Sequence, residues 1–323
     1  MTVQHYDWSA YHSNVRPNKI AIRDLSNNQN LTYKELDDRA NQLAHWLQAN
    51  GVKKGDRIAI LSQNCAEFFE LEFACAKTGS VELPLNWRLT KPELEYILKD
   101  STPHTLIYDE SFSEIAIDLV KDCNIKCSLQ IDKKDASSQY EQAIKDSDSD
   151  YEKVDCTQED LIMIMYTSGT TGHPKGAMIN HQMQLYNVIN LASPAFVGPD
   201  TVQLVVLPLF HTGGMNCYAN PVLHAGGEII LIREFDPGLA LSILGNSDYG
   251  VSHFFAVPAP YQFMMNHPDF DKTDLSSLRI AGIGGAPCAE AILKTWSDRG
   301  CLLYTSDAAD EEDSVDLGGR RII

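Results

Sequence analysis

The chain has 323 residues, of which 44% are hydrophobic, and this is enough for a sizeable core and for about two domains. Its formal net charge of −18 argues against nucleic acid or an anionic membrane surface as a partner, because both favour a basic surface. The N-terminus lacks a basic and then apolar signal segment, and no apolar run approaches membrane-spanning length. We therefore expect a cytoplasmic protein without an integral membrane segment.

The first part of the chain predicts alternating helices and strands. Residues 32–50 are expected to form a helix, because Thr32 and Glu35 make a capping box, an apolar stripe follows, and Gly51 ends it. The hydrophobic pattern then predicts strands at 57–62, 80–83 and 105–108, and helices at 65–77 and 91–99. This alternation is typical of a doubly wound α/β layer, and we assign a first α/β subdomain to residues 1–131.

Residues 132–160 are acidic and poor in apolar side chains, so we expect a solvated linker there. The cysteines are also spread along the chain, and only Cys123 and Cys127 lie close together. A metal site on this pair lacks a second pair to complete four ligands, so we expect reduced thiols and no metal site.

A loop rich in hydroxyls and glycines follows a predicted buried strand at residues 161–166. It reads Thr167, Ser168, Gly169, Thr170, Thr171, Gly172, His173, Pro174, Lys175, Gly176. Glycines let backbone N–H groups approach an anion closely, hydroxyls add neutral donors, and Lys175 supplies a positive charge. The common G-x-x-x-x-G-K-[ST] pattern fails here, because Pro174 precedes the lysine. We predict a polyphosphate-binding loop, and the alternative is an ordinary surface turn.

The remaining pattern predicts a second α/β subdomain over residues 161–300. Strands are expected at 202–207, 227–232, 251–257 and 278–283, with a helix at 236–244. The last strand is followed by Gly284, Gly285, Ala286 and Pro287, whose flat backbone suits a planar base. His211 ends an apolar run, at a position where loops line crevices in such folds. It is a candidate catalytic residue, with a structural role as the alternative.

The residues Tyr-Thr-Ser-Gly-Thr-Thr-Gly-x-Pro-Lys-Gly at 166–176 resemble the phosphate loop of the adenylate-forming enzymes. These are acyl-CoA synthetases, luciferases and the adenylation domains of peptide synthetases. The resemblance runs from about Trp8 to Arg299, and residues 32–36, 208–211 and 284–287 agree with it. It implies two packed α/β subdomains with largely parallel sheets, as in the large N-terminal domain of this family, with the C-terminal domain absent.

The resemblance also implies a two-step reaction. A carboxylate attacks the α-phosphorus of ATP, and a thiol, here coenzyme A, then captures the acyl-adenylate. Mg²⁺ would share the phosphate charge with Lys175, and His211 would lie beside the substrate carboxylate and the α-phosphate. The implied ATP-binding residues are Thr167, Ser168, Gly169, Thr170, Thr171, Gly172, Lys175, Gly284, Gly285, Ala286 and Pro287. The implied acyl pocket comprises His211, Thr212, Gly213, Gly214, Met215, Asn216 and Val257, for which core packing is the alternative.

The segment 207–215 most resembles acyl-CoA synthetases of the fatty-acid type. Its apolar lining without an acidic residue suits a fatty or aromatic acid better than an amino acid, whose ammonium group needs a carboxylate. A fatty acid–CoA ligase is therefore the first functional prediction. An aryl-acid or succinylbenzoate-type CoA ligase is the second, and a non-catalytic ATP- or acyl-binding module is the third. No feature of the sequence indicates an oligomeric state.

Residues 301–323 have no clear period and carry six acidic residues against two arginines. They resemble a translated sequencing-library adapter, and our hypothesis is that they are not native protein. The family's Gly-Tyr-Gly-x-Thr-Glu motif, its magnesium-binding glutamate, its ribose-binding aspartate and the lysine of its small C-terminal domain have no counterparts in this chain. We therefore expect little or no ligase activity from these 323 residues.

Overall fold

The computed structural model describes residues 4–5, 7–132, 135, 137–167, 173–301 and 303–305. Its helices are α1 (Trp8–Val15), α2 (Tyr33–Ala49), α3 (Glu67–Thr78), α4 (Lys91–Ser101), α5 (Ser113–Asp122), α6 (Gln139–Lys145), α7 (His181–Ala192), α8 (Thr212–Gly214), α9 (Asn220–Ala225), α10 (Pro237–Leu244), α11 (Pro258–Met265) and α12 (Glu290–Asp298). A π-helical turn (Met215–Ala219) joins α8 to α9, and 3₁₀ turns lie at Glu110–Phe112 and Phe270–Lys272. Its strands are β1 (Ile20–Asp24), β2 (Gln29–Thr32), β3 (Arg57–Leu61), β4 (Val81–Pro84), β5 (Thr105–Asp109), β6 (Cys127–Ile131), β7 (Leu161–Thr167), β8 (Lys175–Asn180), β9 (Val202–Val205), β10 (Glu228–Leu231), β11 (His253–Ala256), β12 (Ile280–Ile283) and β13 (Leu303–Thr305).

The strands of the described residues form two sheets. The seven-stranded sheet has the order β13-β12-β11-β9-β10-β1-β2, and the six-stranded sheet has the order β6-β5-β3-β4-β7-β8. Pairing is parallel throughout, except for the terminal pairs β1–β2 and β7–β8, which are antiparallel. The prediction of an α/β fold with largely parallel sheets is confirmed.

The two sheets do not divide the chain at the predicted boundaries. Strands β1 and β2 lie within the predicted first subdomain, yet they extend the seven-stranded sheet by parallel pairing of β1 with β10. Conversely, β7 and β8 belong to the predicted second subdomain but extend the six-stranded sheet beside β4. The physical reason is that each sheet is completed by a hairpin from a distant part of the sequence, which local patterns do not reveal.

Helix α2 forms as its sequence predicts. The Thr32 side chain accepts a hydrogen bond from the Glu35 backbone N–H, and the Glu35 carboxylate accepts one in return from the Thr32 N–H. The predicted apolar stripe is fully buried, comprising Leu36, Ala40, Leu43, Ala44 and Leu47. The helix therefore has both the cap and the buried face that an amphipathic helix needs.

Residues 132–160 contain a packed helix where we predicted a solvated linker. Tyr140 of α6 is fully buried, and its hydroxyl donates to the Glu70 carboxylate at 2.7 Å. Arg39 of α2 binds both Glu70 and Glu141 of α6, at 2.7 and 2.6 Å. The expectation therefore does not hold for α6, because a few apolar and paired charged side chains suffice to anchor a short helix.

The structure places the first described residues of the predicted non-native tail in the fold. Cys301 is buried in the core beside the seven-stranded sheet, and burial raises the pKa of its thiol to about 11. Strand β13 pairs in parallel with β12, so residues 303–305 are part of the fold. Residues 306–323 lie outside the described part of the chain, and the hypothesis about them stays a prediction.

Candidate functional site

The predicted phosphate loop connects the two strands of a hairpin. Thr167 at the end of β7 is paired with Lys175 at the start of β8, and both side chains are exposed. Between them, residues 168–172 lie outside the described residues, so the ATP-binding role predicted for Ser168, Gly169, Thr170, Thr171 and Gly172 stays a prediction. The hairpin nevertheless fixes where the loop begins and ends, at the carboxyl end of a strand with a parallel neighbour.

A cavity of ≈ 590 Å³ opens beside this hairpin. It brings Thr167 together with His211, although 44 positions of sequence separate them. Among the described residues, its lining is Pro84, Asn86, Leu89, Pro92, Glu93, Tyr96, Ile97, Tyr166, Thr167, His173, Pro174, Phe210 and His211. The cavity thus lies where β4, β7 and the segment after β9 reach the same edge of the molecule, which is the usual ligand position in open α/β sheets.

His211 caps the N-terminus of the short helix α8. Its Nδ1 accepts a hydrogen bond from the Gly213 backbone N–H at 3.2 Å, and its ring is exposed to the cavity. A neutral imidazole that accepts at Nδ1 carries its proton on Nε2. The ring therefore offers Nε2–H as a donor to an anion in the cavity, while the local backbone holds its orientation.

The sequence motif included Tyr166 and His173, but it did not indicate their partners Tyr96 and Asp100 on α4. The Tyr96 ring of α4 stacks on His173 at 5.0 Å between centroids, and the Tyr166 hydroxyl donates to the Asp100 carboxylate. Burial and this hydrogen bond raise the pKa of Tyr166. The only sequence feature that could have indicated this side of the cavity is Pro84 at the end of a buried strand. It becomes informative only once β4 is known to lie next to β7. These contacts tie α4 to the phosphate-loop hairpin.

Glu93 also lines the cavity, yet its carboxylate is already engaged. It accepts from the backbone N–H and the hydroxyl of Thr90, at 2.8 and 2.7 Å, and these hydrogen bonds lower its pKa. It closes the capping box at the start of α4. The lining therefore provides no free carboxylate among the residues that the structure describes at this cavity.

The segment from Gly284 to Pro287 follows β12, at the same end of the sheet as the loop after β11. The Gly284 N–H donates to the Ala256 carbonyl at 3.3 Å, and Gly285 has a φ of +75°, which favours glycine. A Cβ added to Gly285 would be 3.4 Å from Val257. The structure thus brings Gly285 and Val257 together. Neither residue, nor Gly284, Ala286 or Pro287, is among those that line the cavity containing His211.

The residues predicted for the acyl pocket lie in different surroundings. Gly213 and Gly214 pack closely with Gln203, Tyr218 and Phe255, around a space too narrow for a water molecule. Thr212 is exposed, whereas Met215 is fully buried in the main core. Asn216 is buried and hydrogen-bonded to other side chains. The predicted residues therefore do not share one pocket. Thr212 lies at the surface, Gly213 and Gly214 line a narrow internal space, and Met215 and Asn216 lie in the interior.

Val257 lines a separate cavity of ≈ 380 Å³ with two guanidinium groups at its edge. Arg88 lies over the Trp87 ring at 4.7 Å, and Arg233 donates to Asp109 at 2.8 Å. Burial opposes ionisation of Asp109, but hydrogen bonds from Ser111 and Arg233 hold its pKa below the usual value. Glu234 also lines this cavity, so its two guanidinium groups are accompanied by the carboxylates of Glu234 and Asp109.

Within the described ranges, no three His, Cys, Asp or Glu side chains come together as potential metal ligands. In the same part of the chain, no helix has both the length and the apolar character needed to cross a membrane.

The described fold and cavity define an adenylate-forming type of α/β domain, and comparisons with known proteins agree. The sequence profile of the AMP-binding enzyme family matches residues 9–306. The chain belongs to this family.

Similar proteins include a feruloyl-CoA synthase from Amycolatopsis sp., 35% identical over 293 residues, with 91% of this chain and 56% of the relative covered. The long-chain-fatty-acid–CoA ligase FadD13 from Mycobacterium tuberculosis (strain ATCC 25618 / H37Rv) is 32% identical over 283 residues, covering 88% and 55%. The crystal structure of ATP-bound MatB from Rhodopseudomonas palustris superposes with a TM-score of 0.83 at 27% identity, covering 93% of this chain and 59% of that one. The chain thus spans about half the length of the curated relatives that it matches.

Proposed function

We propose that this chain carries the nucleotide- and acid-binding half of an ATP-dependent acid–CoA ligase. The observation that carries the proposal is the cavity that places His211 opposite Thr167, the first residue of the predicted phosphate loop. A carboxylate and a triphosphate repel each other, so a site that activates the acid must position both and offset their charge. Lys175 would supply positive charge to the phosphates, and His211 would donate from Nε2 to the carboxylate or the α-phosphate.

ATP, Mg²⁺ and coenzyme A are the small molecules that this function requires. Mg²⁺ would enter with the nucleotide, bound mainly by phosphate oxygens and water, and Thr167 is the described residue whose hydroxyl lies nearest the loop. Its chemical contribution is to neutralise charge on the phosphates. Gly284, Gly285, Ala286 and Pro287 would then face the adenine, because their strand ends at the same edge as the cavity.

The acid is proposed to be apolar. Leu89, Ile97, Tyr96 and Phe210 provide the apolar surface of the cavity, and Glu93 is occupied by Thr90 rather than free for an ammonium group. A fatty acid is the first candidate. An aryl acid is the second, supported by the rings of Tyr96 and Phe210 and by the similarity to a feruloyl-CoA synthase.

Binding measurements on the 323-residue chain test the proposal. Calorimetry with Mg²⁺–ATP should give saturable binding, and Lys175→Ala should weaken it by about tenfold, the loss expected for one phosphate contact. His211→Ala should weaken binding of a non-hydrolysable acyl-adenylate analogue, which carries both the acyl group and the α-phosphate, by about tenfold, and should weaken binding of ATP by less. The control is Lys294→Ala, an exposed lysine of α12 whose partner is Asp298.

The choice between acids follows from the same assay with dodecanoate and 4-hydroxycinnamate in the presence of ATP. Tighter binding of dodecanoate supports the fatty-acid candidate, and tighter binding of 4-hydroxycinnamate supports the aryl-acid candidate. If the chain binds ATP but neither acid, the non-catalytic binding module is the remaining candidate. A chain that is folded but binds no ATP would contradict the proposal as a whole.

A further inference from the structure

A buried polar cluster lies behind the candidate site, between the six-stranded sheet and the helices that follow His211. We call it the Glu72 cluster, and it consists of Glu72 on α3, Gln184 on α7, Asn216 in the π-helical turn and Asn220 on α9. Each of the four is at most 8% exposed. Burying four polar side chains is costly unless they bond one another, so their arrangement calls for a physical reason.

One carboxylate oxygen joins three helices in this cluster. Glu72 Oε1 accepts from Asn220 Nδ2 at 2.9 Å and also from Gln184 Nε2. The same Asn220 amide donates to Asn216 Oδ1 at 3.0 Å. On α7, Asn187 Nδ2 donates to the Asn216 main-chain carbonyl at 2.6 Å. The π-helical turn is therefore held from the side of α3 and from the side of α7.

The cluster also reaches both parts of the candidate site. Asn216 Nδ2 lies 3.8 Å from Met163 Sδ and 3.9 Å from Met165 Sδ, on the strand that ends at Thr167. Asn216 is five positions after His211, and the Met215 N–H donates to the His211 carbonyl at 3.2 Å. A π-helical turn holds one residue more than an α-helical turn, and such turns are often found at functional sites. Here the widened turn carries Asn216.

Several acceptors in the Glu72 cluster and on neighbouring Glu82 lack a donor within the described part of the chain. Glu72 Oε2, the Asn220 Oδ1 atom and both carboxylate oxygens of Glu82 are buried without a hydrogen-bond partner among the described residues. Glu82 lies on β4 in register with Met163. Burial raises the pKa of Glu72 to about 7, although the hydrogen bonds from Gln184 and Asn220 act to lower it. Burial, and then repulsion from Glu72, raises the pKa of Glu82 well above its usual value.

Two other titratable groups face Glu72. The Cys75 thiol lies on the same helix, and burial raises its pKa well above the usual value. His5 lines a small cavity of ≈ 10 Å³ with Glu72 and Gln184, and burial lowers the pKa of its ring to about 4. Neither group supplies a positive charge near Glu72 at neutral pH, so a proton is the available counter-charge.

We propose that Glu72 is a positioning residue: through Asn220 and Asn216 it fixes the π-helical turn against strand β7 and so sets where His211 lies relative to Thr167. The reaction that these two residues serve rests on the proposed function, but the positioning itself does not. Loss of the Glu72 acceptor removes the acceptor of the Gln184 amide and leaves the Asn220 amide with only its bond to Asn216. The turn then loses its contact with α3, and the start of α8 moves with it.

Hydrogen exchange of the full 323-residue chain tests this proposal. Glu72→Leu should lower protection of residues 212–220 by about tenfold or more, with little change in β3 (Arg57–Leu61). Glu72→Gln keeps an acceptor at Oε1 and places an amide donor toward Glu82, so protection should return to within twofold of the wild type. The matched control is Glu70→Gln, because Glu70 is equally buried on α3 but bonds Arg39 and Tyr140 instead. It should leave protection of residues 212–220 unchanged.

If Glu72→Leu does not fold, the pH dependence of hydrogen exchange in the wild type and in Glu72→Gln tests the proposal instead. In the wild type, protection of residues 212–220, corrected for intrinsic exchange, should change between pH 6 and pH 8 as Glu72 titrates. In Glu72→Gln this pH dependence should disappear. Equal pH dependence in both proteins would overturn the proposal, as would a Glu72→Leu variant whose protection falls equally in β3 and in residues 212–220.

Failure of the proposed function would be seen in a different experiment from failure of the positioning role. If the wild type binds no Mg²⁺–ATP, the ligase proposal fails, whereas the exchange comparison among Glu72, Glu70 and wild-type proteins still decides the positioning role. If both hold, Glu72→Leu should weaken binding of an acyl-adenylate analogue more than it weakens binding of ATP, because His211 contacts the acyl side.

Discussion

At the scale of single residues, the two glycines after His211 show how closely the backbone packs at the site. A Cβ on Gly214 would lie 2.2 Å from the Pro208 carbonyl oxygen and 2.7 Å from that of Leu207. A Cβ on Gly213 would meet only ordinary contacts, the nearest at 3.4 Å from Leu207 Cδ1. Glycine is therefore required at 214 by a close backbone approach, while position 213 tolerates a methyl group.

We expect Gly214→Ala to destabilise the fold by about 1–3 kcal/mol, the usual cost of overpacking against backbone that has to move. Gly213→Ala, its neighbour, should change the free energy of unfolding by much less. Urea unfolding followed by circular dichroism measures both. Equal midpoints for the two variants would show that the turn relaxes freely, contrary to this expectation.

A second residue-scale prediction concerns Glu82, which is fully buried and whose two carboxylate oxygens have no hydrogen-bond partner in the part of the chain that the structure describes. Because its pKa is raised in the folded state, the folded protein holds a proton that the unfolded chain releases above about pH 4.5. Stability from this proton is full at lower pH and is lost as the pH rises through the folded-state pKa. Glu82→Met should therefore stabilise the protein by about 1–3 kcal/mol at pH 8 and by less at pH 5.

Urea midpoints at pH 5 and pH 8 check this difference. Glu82→Gln is the control that preserves shape and also removes the titration. If the gain from Glu82→Met is the same at both pH values, the carboxyl does not titrate differently in the folded state.

At the scale of elements, helices α2, α3 and α6 form a unit joined by charges as well as by apolar packing. Arg39 is only slightly exposed and bridges Glu70, which has no exposed side-chain surface, to Glu141. Burial opposes the Arg39 charge, but the interactions with Glu70 and Glu141 together more than offset this, so the pKa of Arg39 is raised. The short helix α6 is thereby held to the domain although its surroundings in sequence are acidic and polar.

We expect Arg39→Met to lower the free energy of unfolding by about 3–5 kcal/mol, because it leaves the Glu70 carboxylate buried without its cation. The control is Lys34→Met on the same helix, since the Lys34–Asp38 pair is exposed and contributes little. Chemical denaturation measures both variants. A double variant with Glu70→Gln should recover part of the loss, and no recovery would contradict the assignment of the loss to an unpaired carboxylate.

The sequence predicted correctly those helices and strands whose caps or hydrophobic patterns lie within the element itself. The capping box of Thr32 and Glu35 and the stripe after it determine α2 by themselves, and the long apolar runs of β3 and β7 determine buried strands. Helix α6 was missed because its anchor, Tyr140 bonded to Glu70, is a contact across 70 positions of sequence. The hairpins β1–β2 and β7–β8 were missed as sheet edges for the same reason.

At the scale of the whole molecule, the cavity arises from strand order rather than from any one motif. The sequence indicated Thr167 and His211 separately, and their joint position follows from β4 and β7 being neighbours in one sheet while the segment after β9 comes from the other. Tyr96 carries no local signal, because its stacking on His173 of the predicted loop depends on that neighbourhood. Similarly, nothing in the local sequence around Asn216 shows that its side chain points inward.

The last prediction concerns the response of the whole fold to acid. Burial lowers the pKa of several histidines, to about 4 for His5 and His224 and to about 3 for His181. The rings of His5 and His181 stack at 3.7 Å between centroids, so protonating one also opposes protonating the other. In the unfolded chain the same groups take up protons near pH 6.5, whereas the folded protein resists them until much lower pH. Stability should therefore be full above about pH 7 and fall as the pH drops from 6.5 toward 4.

Glu72 and Glu82 act in the opposite direction, because their raised pKa values favour the folded state as the pH falls below 7. Glu70 acts in the same direction as these two carboxyls, because burial raises its pKa as well. The histidines still dominate, since each contributes a slope of up to about 1.4 kcal/mol per pH unit and, with His12, His104 and His253, six lowered histidines outnumber three raised glutamates. Urea midpoints at pH 7.5, 6.5, 5.5 and 4.5 should decline steadily, and His181→Gln should flatten the decline without abolishing it. A midpoint that rises on acidification to pH 5.5 would mean that the buried carboxyls, and not the histidines, control the acid response of this fold.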